Sequence, residues 1–125
     1  MARYPKVQKR VQSEIDQEIG RSLPSSACRK QLQYTEAVLS EILRVSTVVQ
    51  FLGRRVTKST IIRGYLFPEN AYVLSNFHAA HRDSRIWKDP EYFNVDNFYD
   101  EKTNSLINTN YLISFGMGMF MTYSP

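Results

Sequence analysis

Cysteine and histidine are scarce in this 125-residue sequence, which contains one cysteine and two histidines. A lone cysteine, Cys28, excludes an internal disulfide and provides no cysteine cluster for a metal. Small and polar residues at 25–27 precede it, and we interpret Cys28 as a loop thiol without an assigned role. His78 and His81 lie three residues apart with no third ligand at a matching spacing. This pattern favours a hydrogen-bonded histidine over a metal site.

Long apolar runs and blocks of like charge are also missing. No stretch approaches the ~20 apolar residues that a membrane helix needs, so we expect no membrane segment in this chain. The 16 basic and 12 acidic residues are interspersed and give a net charge of +4. Without a basic block, the sequence predicts no nucleic-acid partner. The 42% apolar and 22% charged residues are typical of one globular domain.

Apolar residues recur at helical spacing in the first 45 residues. We predict one helix from Pro5 to Ile19, ended by Gly20, and a second from Leu32 to Val45. The repeating positions are Val7, Val11, Ile15 and Ile19 in the first helix and Val38, Ile42 and Val45 in the second. The segment 21–29 between them contains Pro24 and reads as a loop.

After residue 46 the apolar period shortens to about two. Stretches 48–51, 56–65 and 71–76 are rich in β-branched and aromatic residues, and 68–70 has the composition of a turn. The sequence therefore predicts a small antiparallel sheet between Val48 and Asn76, and the fold class α+β. The polar stretch 100–110 predicts a loop.

Glu41 and Arg44 lie three residues apart at the edge of the second apolar stripe. Two interpretations of this pair are open. It is either an exposed helix pair contributing ~0.3 kcal/mol, or a pair that reaches the backbone of 93–98.

An ordered set of short motifs resembles the C-terminal part of a cytochrome P450, a haem-thiolate monooxygenase of the microsomal animal type. The motifs are Glu41-x-x-Arg44, Arg63-Gly64-Tyr65-x-x-Pro68, His81-Arg82-Asp83-x-x-x-Trp87, Asp89-Pro90-x-x-Phe93-x-x-x-x-Phe98 and Phe115-x-x-Gly118. The resemblance covers 2–118, which corresponds to about the last third of a complete family member. It implies a partial P450 fold with the J and K helices, a small antiparallel sheet, the meander and a truncated haem-binding loop. On this basis residues 1–125 are expected to be a domain portion that is incomplete at both ends.

The resemblance also assigns structural roles. Glu41 and Arg44 match the K-helix pair that anchors the meander in this family. The third member of that network is often an arginine, and the matching position here is Asn97. An asparagine can donate hydrogen bonds but has no charge, so a weaker network is expected.

Haem contacts follow from the resemblance in the same way. Arg54 matches the basic residue that the family directs at a haem propionate, and Leu52 falls in a substrate-recognition segment. Phe115 and Gly118 match the start of the haem-binding loop. Counting on from Phe115 places Thr122 at the position of the family's iron-ligating cysteine. A threonine hydroxyl is a poor substitute for the thiolate that supports O–O cleavage.

The functional expectation is therefore divided. Family resemblance implies haem and iron binding, electrons from a flavoprotein reductase, an apolar small-molecule substrate and a place at the endoplasmic reticulum membrane. Because the cysteine position holds Thr122, we do not expect this chain to be catalytic by itself. The alternative is a non-enzymatic interaction fragment whose helices expose their apolar stripes to a protein partner.

Overall fold

Helices and short strands follow one another in the computed structural model, which describes residues 2–116. The helices are α1 (Pro5–Glu18), α2 (Gln33–Ser46) and α3 (Phe77–Ala80). The strands are β1 (Phe51–Arg55), β2 (Thr60–Ile62), β3 (Tyr65–Phe67), β4 (Tyr72–Asn76), β5 (Tyr99–Asp100) and β6 (Ser105–Leu106). Short 3₁₀ turns cover Ser26–Lys30, Val95–Asn97 and Thr109–Tyr111. This mixture of helices and small antiparallel ladders confirms the α+β class.

The two long helices form where the apolar period predicts them, with ends that differ by about one residue. Pro5 occupies the first turn of α1, where its missing N–H costs nothing. Val11 of α1 and Val38 of α2 are buried in one cluster, which Trp87 and Phe98 cover from the later part of the chain. Residues 87–99 therefore cover part of the two helix stripes, whereas Ile42 of the α2 stripe remains 38% exposed.

The predicted single sheet is instead divided into two antiparallel ladders. β1 pairs with β4, and β2 pairs with β3. Arg63 and Gly64 both have positive φ, 49° and 84°, as a two-residue type I′ hairpin turn requires. This turn splits the stretch 56–65 that the β-branched composition marks as one strand. The first strand also begins later than predicted, at Phe51 rather than Val48.

The polar stretch 100–110 contains strand structure that the sequence does not predict. Tyr99 pairs with Leu106 and Asp100 with Ser105. The Asp100 carboxylate accepts hydrogen bonds from the Lys102 backbone N–H at 3.0 Å and from the Thr103 hydroxyl at 2.9 Å. Local hydrogen bonds of this kind, rather than an apolar alternation, hold the turn.

Exposed apolar side chains are concentrated on the strands. The most exposed of those on the strands are Tyr72 (76%), Tyr65 (74%), Ile61 (70%), Leu74 (68%) and Leu66 (67%). These positions lie on ladders that have two strands each within 2–116, so each ladder leaves faces without a covering layer. No helix in this part of the chain combines the length and the apolar character needed to cross a membrane.

Candidate functional site

Glu41 and Arg44 form a buried ion pair on one side of α2. The Nε and Nη2 of Arg44 donate to the two carboxylate oxygens of Glu41 at 2.7 and 2.8 Å, and both side chains are 0% exposed. This bidentate geometry is the strong form of an arginine–carboxylate contact. The interpretation as an exposed helix pair is therefore wrong.

The remaining donors of Arg44 reach backbone carbonyls far along the chain. Nη1 donates to the carbonyls of His81 and Pro90, both at 2.7 Å, and Nη2 donates to that of Tyr92 at 3.0 Å. The guanidinium carbon also lies 5.5 Å from the centre of the Trp87 ring. One side chain thus fastens α2 to the segment 81–92.

Glu41 fastens the next part of the same segment. Its Oε1 accepts hydrogen bonds from the Asn94 backbone N–H at 2.7 Å and from the Asn97 side-chain amide at 3.3 Å. The amide oxygen of Asn97 in turn accepts from the Lys88 N–H at 2.9 Å. The structure therefore brings Glu41, Arg44 and Asn97 together.

His81 is fully buried, and its ring lies between Thr47, which directly follows α2, and Ile113, near the end of the described residues. The Ile113 backbone N–H donates to His81 Nε2 at 3.1 Å, so the proton of the neutral ring lies on Nδ1. Nδ1 is 3.1 Å from the Thr47 hydroxyl, which donates to the Arg44 carbonyl at 2.5 Å. Burial lowers the pKa of His81 to about 4, and the nearby positive charges of Arg44 and Arg82 act in the same direction. The prediction of a hydrogen-bonded histidine is confirmed.

The backbone approaches β1 closely just before the described residues end. Gly116 has φ +92°, and a Cβ added there would lie 3.5 Å from Leu52 Cδ2 and 3.9 Å from Phe77 Cζ. Since alternate residues of a strand share a face, Arg54 lies on the same face of β1 as Leu52. Phe115 is 57% exposed, whereas Gly118 and Thr122 lie outside the described residues.

Glu14 has a role that sequence reasoning missed. Its carboxylate accepts hydrogen bonds from the backbone N–H groups of Tyr34 and Thr35 at 2.8 and 2.7 Å, at the start of α2. A negative charge there satisfies N–H groups that have no partner inside the helix. The sequence held one signal of this role. The N-cap residue Leu32 has no side chain that can accept a hydrogen bond from the helix N–H groups, so another residue has to accept it. The identity of the residue that caps α2 instead was not readable from spacing.

The chain matches a known protein-family model: the one described as Cytochrome P450 matches residues 1–119. The chain belongs to the cytochrome P450 family. It is 40% identical over 102 residues to human Cytochrome P450 2J2, covering 80% of this chain and 20% of that relative. It is 41% identical over 103 residues to Cytochrome P450 2F2 of Mus musculus, covering 81% and 21%.

A longer match extends to Cytochrome P450 2U1 of Bos taurus. It shows 34% identity over 120 residues, 94% of this chain and 22% of the relative. The chain thus spans about a fifth of the length of the curated P450 relatives it matches.

Two of the described residues, Arg54 and His81, bear on whether this chain could hold a haem. Arg54 and Leu52 share the face of β1 that meets Gly116, and a guanidinium is the kind of donor that binds a carboxylate such as a propionate. Residues 2–116 contain no cluster of three histidine, cysteine or carboxylate groups that could hold a free metal ion, whereas haem iron needs only an axial protein ligand. Both nitrogens of His81 are within hydrogen-bond distance of protein groups, so an axial role for His81 would require breaking the contact with Ile113.

Proposed function

We propose that this chain is the C-terminal portion of a haem-thiolate monooxygenase domain, with α1 and α2 as the J and K helices and the segment after Trp87 as the meander. The observation that carries the proposal is the buried Glu41–Arg44 pair. Its hydrogen bonds to Pro90, Tyr92 and Asn94 fasten that segment to α2. A surface pair would need none of these backbone contacts.

In the parent domain we assign Arg54 to a haem propionate and Phe115 and Gly118 to the start of the haem-binding loop. Glu41, Arg44 and Asn97 hold the meander in place. Bound haem would supply the oxygen chemistry, which inserts one atom of O₂ into an apolar organic substrate. A flavoprotein reductase as electron donor and the endoplasmic reticulum membrane as location complete the proposal.

We further propose that this chain alone does not form the thiolate-ligated state. Thr122 occupies the cysteine position by register from Phe115, and a hydroxyl does not supply the sulfur donor. Cys28 lies on the short turn Ser26–Lys30 before α2, outside the register that starts at Phe115.

The test is the absorption spectrum of the reduced, carbon-monoxide-treated protein after haem addition. We expect no red-shifted Soret band of thiolate ligation in the native chain. A band that survives Cys28→Ser would contradict the assignment at Thr122, and a band lost in Cys28→Ser would show that Cys28 reaches the iron. Thr122→Cys, with Ser124→Cys as matched control, tests the register: a thiolate band is expected for the first variant alone.

A second candidate function is a non-enzymatic interaction fragment. The observation that favours it is the exposed apolar surface of the strands, including Ile61, Tyr72 and Leu74. Haem titration separates the two candidates. The monooxygenase ancestry predicts saturation at one haem per chain with loss of affinity in Arg54→Ala, whereas an interaction fragment predicts unsaturable, Arg54-independent binding.

A further inference from the structure

His81 joins three parts of the fold that are distant from one another in the sequence. Its backbone carbonyl accepts a hydrogen bond from Arg44 Nη1 at 2.7 Å, and its backbone N–H donates to the Phe77 carbonyl in α3 at 2.9 Å. Its ring lies between the Thr47 hydroxyl and the Ile113 N–H, and both of these contacts are 3.1 Å long. The residue is 0% exposed, so bulk water does not compete for these contacts.

The two ring contacts have a fixed direction. The Thr47 hydroxyl already donates its proton to the Arg44 carbonyl, so it can only accept from the His81 ring. Nδ1 therefore carries the ring proton, and Nε2 accepts from Ile113. Burial keeps the ring neutral near neutral pH, because it lowers the pKa of His81 to about 4. The acceptor that Ile113 meets is thus selected by Thr47, which directly follows α2.

Residues 112–116 have few other directional contacts. Leu112 packs against the buried cluster, but apolar contact has no preferred direction and does not fix the position of a backbone. Within the described part of the chain, the bond from Ile113 to His81 is the one hydrogen bond that joins 112–116 to any residue before 109. The Ile113 carbonyl in turn accepts from the Gly116 N–H at 3.0 Å, so the same anchor extends to Gly116.

Gly116 is the point at which this anchored segment meets β1. A Cβ added to Gly116 would lie 3.5 Å from Leu52 Cδ2, and Leu52 shares its face of β1 with Arg54. The place at which the segment reaches that face therefore depends on the bond between Ile113 and His81.

We propose that His81 is a positioning residue, whose ring transmits the position of the end of α2 to residues 113–116 and so sets where this segment meets β1. In the parent domain His81 thereby sets the start of the haem-binding loop, and this part of the inference rests on the proposed function. The Glu41 carboxylate reaches Asn94, whereas the His81 ring reaches a second segment, at Ile113. If His81 only filled space in the interior, the direction of its ring contacts would not matter.

The first measurement uses the native, full-length, haem-free chain. The ¹⁵N chemical shifts of the His81 ring, recorded by nuclear magnetic resonance near neutral pH, report which nitrogen carries the proton. We expect a proton on Nδ1 and none on Nε2. A proton on Nε2 would overturn the proposal, since that nitrogen could not then accept from Ile113.

Hydrogen exchange of the Ile113 amide tests the anchor itself. In His81→Gln the longer side chain can place its amide oxygen near the position of Nε2, whereas His81→Asn reaches only the position of Nδ1. Measured relative to the Val38 amide of α2, exchange at Ile113 should rise roughly tenfold in His81→Asn and less than about threefold in His81→Gln. Equal increases in the two variants, or increases at Val38 as large as those at Ile113, would overturn the proposal.

Thr47 offers a test that leaves His81 unchanged. Thr47→Val removes the hydroxyl that selects the ring tautomer, and the matched control Thr47→Ser keeps it. Again relative to Val38, exchange at Ile113 should rise about fivefold in Thr47→Val and less than about twofold in Thr47→Ser. Equal Ile113 exchange in these two variants would overturn the proposal. None of these measurements involves haem, so their failure is distinct from a failure of the Thr122→Cys spectrum, which depends on the iron ligand.

Discussion

Replacing Arg44 by alanine should destabilise the protein far more than any exposed arginine replacement. Arg44 makes five hydrogen bonds, two to Glu41 and three to carbonyls between His81 and Tyr92. Its removal leaves the Glu41 carboxylate, which is 0% exposed, without its counter-charge. Breaking a buried pair from one side typically costs about 3–5 kcal/mol. Three carbonyls that lose a partner add about 1–3 kcal/mol each where water cannot replace the donor.

A loss of this size approaches the whole stability of an ordinary domain, which is about 5–15 kcal/mol. We therefore expect Arg44→Ala to be largely unfolded or to unfold at much lower urea, followed by circular dichroism. Arg44→Lys should recover only part of the loss, since an ammonium keeps the charge but cannot form the bidentate contact.

Arg85→Ala is the matched control for this experiment. Arg85 pairs with Asp83 at 2.6 Å, but its side chain is 86% exposed. Exposed pairs contribute about 0–1 kcal/mol, so Arg85→Ala should leave the free energy of unfolding nearly unchanged. If Arg44→Ala and Arg85→Ala cost the same within about 1 kcal/mol, the reasoning from burial is wrong.

Three further predictions concern His81, the glycines and Glu14. The pKa of His81 is about 4 in the folded chain and about 6.5 when unfolded, so stability should fall by up to about 3 kcal/mol between pH 6.5 and 4. Urea titrations of His81→Gln should lack that part of the pH dependence, and an unchanged profile would contradict it. Gly116→Ala and Gly64→Ala should each cost about 1–2 kcal/mol, because both glycines have positive φ and neither has a contact closer than 3.5 Å for a new Cβ. A much larger cost at Gly116 in thermal unfolding would show that space, not φ, is limiting. Glu14→Gln should cost about 1 kcal/mol through the start of α2, measured against exposed Glu18→Gln, and equal costs would refute the capping role.

The helices were predictable because their signal is local. Apolar residues at a period of 3.6 select both the secondary structure and the buried side, and Val11 and Val38 are buried as that period requires. The region that forms the strands could be predicted from composition, but the turn that divides it into separate ladders could not. The β-branched composition of 56–65 hides the turn, whose signal is the pair Arg63-Gly64 and its positive φ values. The β5–β6 hairpin carries still less signal, because its strands have two residues each.

The sequence predicted that Glu41 and Arg44 meet, but it did not predict the hydrogen bonds that join this pair to residues 81–97. The spacing of Glu41 and Arg44 fixes that they meet on one side of α2. Their burial depends on residues 81–97, and hydrogen bonds across 37 to 56 positions leave no periodic trace in the sequence. The same holds for the contact between His81 and Ile113, which are 32 residues apart. Only the resemblance to a known family suggested that the later segment would lie there.

The neutral Asn97 can be understood from the charge balance of the buried network. Glu41 already receives three other donors, from the Nε and Nη2 of Arg44 and from the Asn94 N–H. One carboxylate and one guanidinium cancel, so a second arginine at 97 would add a buried charge that Glu41 alone cannot neutralise. The amide of Asn97 instead donates to Glu41 and to the Lys88 carbonyl, and accepts from the Lys88 N–H. It therefore joins the segment 88–97 to α2 without adding a charge, which weakens the electrostatic attraction in the network but leaves the polar atoms of Asn97 paired.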